Sequence, residues 1–207
     1  VDAPADSINS GSLSLRFANE STDINDYLPQ SGDLSTGSFL ITDSAGGQAS
    51  VVISDSVKTI GDVLQRINAA SGVDVRAELN ETGDGFVLID DAGGGGTLKV
   101  EEVGDTIASE LRLLGDSTVG GDGKQRVTSR LTTVIDVAVD DTLDDIVQQI
   151  NDAGGIVTAS LVDDGSAFNS TRLVLTAANE GNAGRFVVDD GGLGISLTTL
   201  TEGQDAL

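Results

Sequence analysis

The 207 residues carry 11 basic and 34 acidic side chains, a net charge of −23, and include neither histidine nor cysteine. A surface this negative repels phosphate backbones and anionic lipids, which disfavours nucleic acid and membranes as partners. Without cysteine the chain has no disulfides, thiolate metal sites or thiol nucleophiles. Only 3% of residues are aromatic and 27 are glycine, which predicts a β-rich fold with short strands, frequent turns and an aliphatic core.

The first 36 residues are the least regular part of the chain. Residues 12–17 alternate in polarity like a strand, and residues 23–28 predict a helical turn ended by Pro29. We expect 1–36 to be a lead segment, either the end of a preceding unit or an edge strand for a sheet formed by later residues. Because the chain contains no methionine, we also expect it to be a piece of a longer protein.

Two amphipathic helices are the clearest elements, at residues 59–70 (TIGDVLQRINAA) and 142–153 (TLDDIVQQINDA). In each, aliphatic residues at i, i+3, i+4 and i+7 form one apolar face, which ends at Ile67 or Ile150. The predicted N-caps are threonines, with an aspartate three residues later that resembles a capping box with Asp in place of Glu. These cap residues are Thr59 with Asp62 and Thr142 with Asp145.

Short apolar segments around both helices predict strands. They lie at 38–42 and 49–53 before the first helix, at 133–139 before the second, at 73–79, 86–89 and 97–101 after the first, and at 157–161, 173–175 and 185–189 after the second. The pattern predicts an α+β, β-rich fold of two tandem small modules, each with one amphipathic helix packed on an antiparallel sheet. The expected modules are 37–115, closed by a short helix at 106–114, and 131–207, separated by a Gly-, Ser- and Asp-rich linker at 116–130.

The helices end in the pairs Ile67-Asn68 and Ile150-Asn151, which resemble the flagellin hook IN motif. Similar features come after the second helix, at 158–161, 172–177, 181–184 and 203–206. Over residues 31–207, the two motifs resemble the flagellar hook-associated protein 2 (filament cap) family. The resemblance implies a secreted, extracellular structural protein of the bacterial flagellum that caps the filament tip and assists flagellin assembly. It implies flagellin and other axial proteins as partners, and self-association of the full-length protein. Its long terminal heptad helices are absent from this chain.

No pattern predicts catalysis or a cofactor. Without histidine and cysteine the usual nucleophile–base pairs cannot be built, and the glycine runs 93–96 and 120–123 lack the P-loop spacing. A carboxylate pair stays open among 34 acidic residues, although nothing singles out two of them. Acidic turns at 90–91, 163–165 and 189–191 match no calcium-loop spacing, which favours solvated surface charge. We therefore expect a protein that is not an enzyme, with no metal and no cofactor.

Asn68 and Asn151 are the most notable polar residues, and we expect them to be structural. Asparagine tolerates the left-handed conformation at a helix end, and its side chain satisfies backbone groups of a loop. Two other functions stay open beside the cap: an adhesin-like extracellular binding module, and the outer domain of a flagellin.

Overall fold

The computed structural model describes residues 9–17, 19–27, 33–154, 157–167, 170–193 and 198–200. Its strands and helices are, in chain order, β1 Gly11–Phe17, β2 Gly37–Thr42, β3 Gln48–Ile53, α1 Ile60–Asn68, β4 Val75–Leu79, β5 Phe86–Asp90, β6 Lys99–Glu102, α2 Ile107–Glu110, β7 Gly115–Asp116, β8 Thr118–Val119, β9 Gln125–Thr128, β10 Thr133–Val137, α3 Leu143–Ala153, β11 Val157–Asp163, β12 Thr171–Ala177 and β13 Phe186–Asp189. The paired strands form four antiparallel sheets within the described residues, so the predicted β-rich α+β class is confirmed.

The chain forms two units, one of which interrupts the other in sequence. The inserted unit is Asn19–Leu131, and the split unit combines Val1–Ala18 with Thr132–Leu207. Strand β1 joins the parts of the split unit, because it pairs with β10 on one side and β13 on the other. The expected lead segment thus supplies a central strand of a sheet rather than an edge strand. The units are not consecutive along the chain, which differs from the expected tandem order.

The inserted unit contains two four-stranded sheets, with strand orders β3-β2-β6-β7 and β4-β5-β9-β8. Helix α1 contacts β3 of the first sheet and β4 of the second, with Ile60, Val63, Leu64 and Ile67 buried. A 3₁₀ turn at Ile24–Tyr27 occupies the region expected to form a helical turn.

Segment 116–130 is part of the inserted unit rather than a linker. It supplies β8 and β9, and β9 pairs with β5. Val127 in β9 and Leu131 just after it are buried. The glycines that indicated a linker lie in the turn between β8 and β9, where Gly120 N donates to Lys124 O. A tight turn and a flexible linker share this composition, which explains the difference.

Helix α2 is shorter than the predicted 106–114 helix. It ends at Glu110, because Arg112 adopts the left-handed conformation with φ of 53°. Leu113 N then donates to Ala108 O at 2.7 Å, which closes the helix end. This turn places both Leu111 and Leu113 in the core, where a continuing helix would separate them onto different faces.

The split unit has a three-stranded sheet of order β10-β1-β13 and the hairpin β11–β12. Helix α3 contacts β10 and β11, with Leu143, Ile146 and Ile150 buried. Leu13 and Leu15 of β1 are buried as well. Residues 181–184 form a 3₁₀ turn, while 203–206 lie outside the described residues.

Candidate functional site: the asparagine clamps

The start of each long helix is fixed by a reciprocal pair of hydrogen bonds. Thr59 Oγ1 accepts from Asp62 N at 3.1 Å, and Asp62 Oδ2 accepts from Thr59 N at 3.0 Å. In α3, Thr142 Oγ1 accepts from Asp145 N at 3.2 Å, and Asp145 Oδ2 accepts from Thr142 N at 2.8 Å. Each pair satisfies two backbone donors that a helix N-terminus otherwise leaves open.

These hydrogen bonds favour the ionised carboxylates. The backbone N–H of Lys58, with those of the Thr59 cap, lowers the pKa of Asp62 below its ordinary value. The hydroxyl and backbone N–H of Thr142 lower the pKa of Asp145. Both charges also lie at the positive end of a helix dipole.

The apolar face of each helix closes with an isoleucine that is 1% exposed, Ile67 in α1 and Ile150 in α3. An asparagine follows each one directly. Asn68 is the last residue of α1, and Asn151 lies two residues before the end of α3. Neither has a positive φ, so the left-handed conformation is not what these positions use.

Each asparagine binds both backbone groups of one strand residue. Asn68 Nδ2 donates to Ala77 O at 2.9 Å, and its Oδ1 accepts from Ala77 N at 2.8 Å. Asn151 makes the same two bonds to Ala159, at 3.0 and 2.8 Å. We call these two arrangements the asparagine clamps. Each alanine is the third residue of the strand after its helix.

The chemistry of the clamp requires a carboxamide. Its N–H and C=O reproduce the donor and acceptor of a peptide group, so it acts as a one-residue neighbouring strand. Ala77 lies opposite Leu88 in the β4–β5 ladder, and its clamped groups are on the other edge of β4. An aspartate at this position would keep the acceptor but lose the donor. The clamp therefore ties the helix end to a strand edge.

Sequence reasoning placed the asparagines at the helix ends but missed both alanines. The available signal was a similar but not identical spacing: Ala77 follows Asn68 by nine residues, and Ala159 follows Asn151 by eight. Both alanines occupy an inward position of an alternating strand and are buried. Small apolar residues are common at such positions, so the spacing alone did not identify a partner.

The aspartate carboxylates of the acidic turns accept hydrogen bonds from backbone N–H groups. Asp163 Oδ1 accepts from Gly165 N at 2.8 Å, and Asp189 Oδ1 accepts from Gly191 N at 3.1 Å. Asp90 is buried and accepts from Ser44 N at 3.0 Å. Within the part of the chain that the structure describes, no group of three or more acidic side chains is arranged to hold a metal ion.

An open depression of about 530 Å³ lies on the outer face of β4, β5 and β9. Two of its cations are neutralised locally: Arg76 pairs with Asp91 at 3.2 Å, and Arg126 with Asp122 at 2.6 Å. The guanidinium of Arg126 holds the pKa of the Asp122 carboxyl far below its usual range. No reactive constellation lines this depression.

Comparison with known proteins gives a match in the region of helix α3. Residues 117–179 match the family model described as the flagellin hook IN motif. The matched segment contains α3, its clamp, β11 and all of β12, and spans less than a third of the chain. The match supports a flagellin-related structural protein and points to the bacterial flagellum. The pair Ile67-Asn68 lies outside it. No curated protein and no solved structure matches the chain. None of the described helices is long and apolar enough to cross a membrane.

Proposed function

We propose that this chain forms the exposed middle part of a flagellar filament-cap protein of the hook-associated protein 2 type, which assists flagellin assembly at the filament tip. The observation that supports this most is the flagellin hook IN match over 117–179, together with a second asparagine clamp, at Asn68, outside it. Two such motifs in one chain are the arrangement that resembles the cap family.

The two units are two copies of one module in this proposal. The central strand of each begins with Gly-Ser, at Gly11 and at Gly37. Gly11 lies opposite Val137 and Gly37 opposite Ile53, each the last residue of the strand before the capped helix. After the helix, the chain in both units forms a hairpin and then a strand that pairs with the central strand. One copy is inserted between the first and second strands of the other.

The role is mechanical rather than catalytic. Capped helices clamped to strand edges give compact modules, and the net charge of −23 keeps their surfaces soluble and mutually repelling. The partners are flagellin, other axial proteins and further copies of the full-length protein. The location is the extracellular flagellum, and binding occurs through protein surfaces without metal or cofactor.

The match supports the outer domain of a flagellin equally well. Deleting the gene in its source bacterium separates these functions. Loss of a cap protein leaves exported flagellin uncaptured, so filaments are missing while flagellin accumulates in the medium. Loss of a flagellin removes the subunit itself. Normal filaments and normal motility after deletion would reject both and favour an adhesin-like binding module. Restoration by the wild-type gene is the control.

A further inference from the structure

We propose that the outer edge of β12 accepts a basic extended strand from a partner chain, which adds a third strand to the β11–β12 hairpin. This surface does not depend on the proposed flagellar function. The clamps align the two hairpins of the molecule residue by residue. Ala77 lies opposite Leu88 in β4–β5, and Ala159 lies opposite Leu175 in β11–β12. Leu175 in β12 therefore corresponds to Leu88 in β5.

The inserted unit shows how this edge is completed. Strand β9 pairs with β5, with Val127 opposite Leu88. Ser129 N donates to Phe86 O at 2.9 Å, and Phe86 N donates to Ser129 Oγ at 3.0 Å. The backbone groups of Phe86 and Leu88 thus face β9, and both side chains are 0% exposed. A third strand seals the hairpin core on this side.

The described residues of the split unit form the same hairpin without that strand. Asp164 N donates to Ser170 O at 2.9 Å across the turn. In an antiparallel ladder, the backbone groups of successive residues point alternately to one neighbouring strand and to the other. Ser170 points to β11, so Val174 does as well, whereas Leu173 and Leu175 point their backbone N–H and C=O groups to the outer edge of β12. Among the described residues, β12 pairs with β11 alone. Leu173 and Leu175 are only half-buried where their counterparts Phe86 and Leu88 are fully covered.

Charge specifies the incoming strand. Segment 123–131, which contains β9, carries Lys124, Arg126 and Arg130 and no acidic residue, although the whole chain has a net charge of −23. The split unit that contains β12 carries 15 acidic and only 3 basic residues. Within it, Asp164 of the β11–β12 turn is already paired with Arg172 of β12 at 2.9 Å. A second copy of this acidic chain is repelled at low ionic strength, whereas a cationic segment is attracted. Added strands bind mainly through backbone hydrogen bonds, with alternate side chains giving specificity.

The test uses the intact 207-residue chain and a synthetic peptide with the sequence of residues 123–131, GKQRVTSRL. Amide hydrogen exchange is followed by NMR. In the free protein, the amides of Leu173 and Leu175 should exchange faster than those of Phe86 and Leu88. Millimolar peptide should slow exchange at Leu173 and Leu175 by about tenfold or more while leaving Val174, which faces β11, unchanged. The effect should weaken as salt is added.

Two N-methylated peptides give a matched pair. Val127 N–H faces β5 in the inserted unit, whereas Thr128 faces β8, since Lys124 on the same side of the strand accepts from Gly120 there. Methylation at Val127 should weaken binding about five- to tenfold, the effect of losing one hydrogen bond. Methylation at Thr128 should leave affinity close to that of the unmodified peptide.

Four results would overturn the proposal. Slow exchange of the Leu173 and Leu175 amides in the free protein at every concentration would show an edge that the chain already covers. Slow exchange that is lost on dilution would assign the edge to a second copy. No slowing at millimolar peptide, or equal weakening by both methyl groups, would show that no strand is added there.

Discussion

The carboxamide of Asn68 and the backbone of Ala77 form a closed pair of hydrogen bonds, at 2.9 and 2.8 Å, that joins the end of a helix to the third residue of the next strand. Asn151 and Ala159 repeat the relationship in the other unit. The same local geometry at two places means that each of its components can be tested twice within one molecule.

Replacing either clamp asparagine should destabilise its own unit. Asn151→Ala leaves two backbone groups of Ala159 without their partner, and we expect a loss of about 1–3 kcal/mol in the free energy of unfolding. Asn151→Asp keeps the acceptor but sets a carboxylate against a carbonyl, so it should be no better than alanine. Chemical denaturation measures both. Asp152→Ala, at an exposed neighbouring position, is the control and should change stability by less than about 0.5 kcal/mol. Equal effects of Asn151→Ala and Asp152→Ala would show that the clamp adds no stability.

The isoleucine before each clamp should be costlier to truncate. Ile67 and Ile150 are each 1% exposed, so Ile→Ala at either should destabilise its unit by about 2–5 kcal/mol. Thermal or denaturant unfolding gives the value. Gln65→Ala and Gln148→Ala, on the exposed faces of the same helices, serve as controls. An unchanged unfolding midpoint in the isoleucine variants would mean that the buried face of the helix is misassigned.

The capping aspartates should contribute a pH-dependent part of stability. The pKa of Asp62 is lowered in the folded chain, first by the Lys58 backbone N–H and then by the Thr59 cap. A carboxyl group with a depressed folded pKa stabilises the protein above its unfolded pKa of about 3.9 and loses that contribution as pH falls through the folded value. Asp62→Asn should therefore be more destabilising at pH 7 than at pH 2. Asp55→Asn, at an exposed position, is the control. A difference from wild type that is the same at both pH values would contradict the assignment.

Strand β1 should stabilise the split unit selectively. Leu13 and Leu15 are buried there, and Leu15 lies opposite Thr133 and Val188 in the two neighbouring strands. Leu15→Ala should lower stability by about 2–5 kcal/mol. Hydrogen exchange should accelerate at amides of residues 132–193 and stay unchanged at those of 19–131. Faster exchange confined to 19–131 would contradict the pairing of β1.

The sequence predicts the local parts of this fold well and the long-range parts poorly. The two long helices are predicted by a threonine N-cap with an aspartate three residues later and by an apolar period of 3.6 residues. Both signals lie within a segment of twelve residues. The pairing of β1 with β10 joins residues more than a hundred positions apart, and alternation in residues 12–17 gives no indication of the partner. The shared Gly-Ser at Gly11 and Gly37 was the only clue to their equivalence.

Composition also misrepresents segment 116–130. The glycines of its turn and the acidic residue Asp122 resemble a linker, while Val127, which carries its packing, is one apolar residue in a short strand. The sequence could not identify Ala77 and Ala159 as the clamp partners for a related reason. A hydrogen bond from a side chain to a distant backbone depends on where the strand lies rather than on the identity of the alanine.

Immunogold electron microscopy of the source bacterium, with antibodies raised against residues 19–131, tests the proposed function most directly. The antibodies should label the distal tip of the flagellar filament, and the label should disappear when the gene is deleted. Label along the whole filament would contradict a cap and assign the chain to a flagellin. Label on the cell surface away from the flagella would contradict a flagellar function altogether.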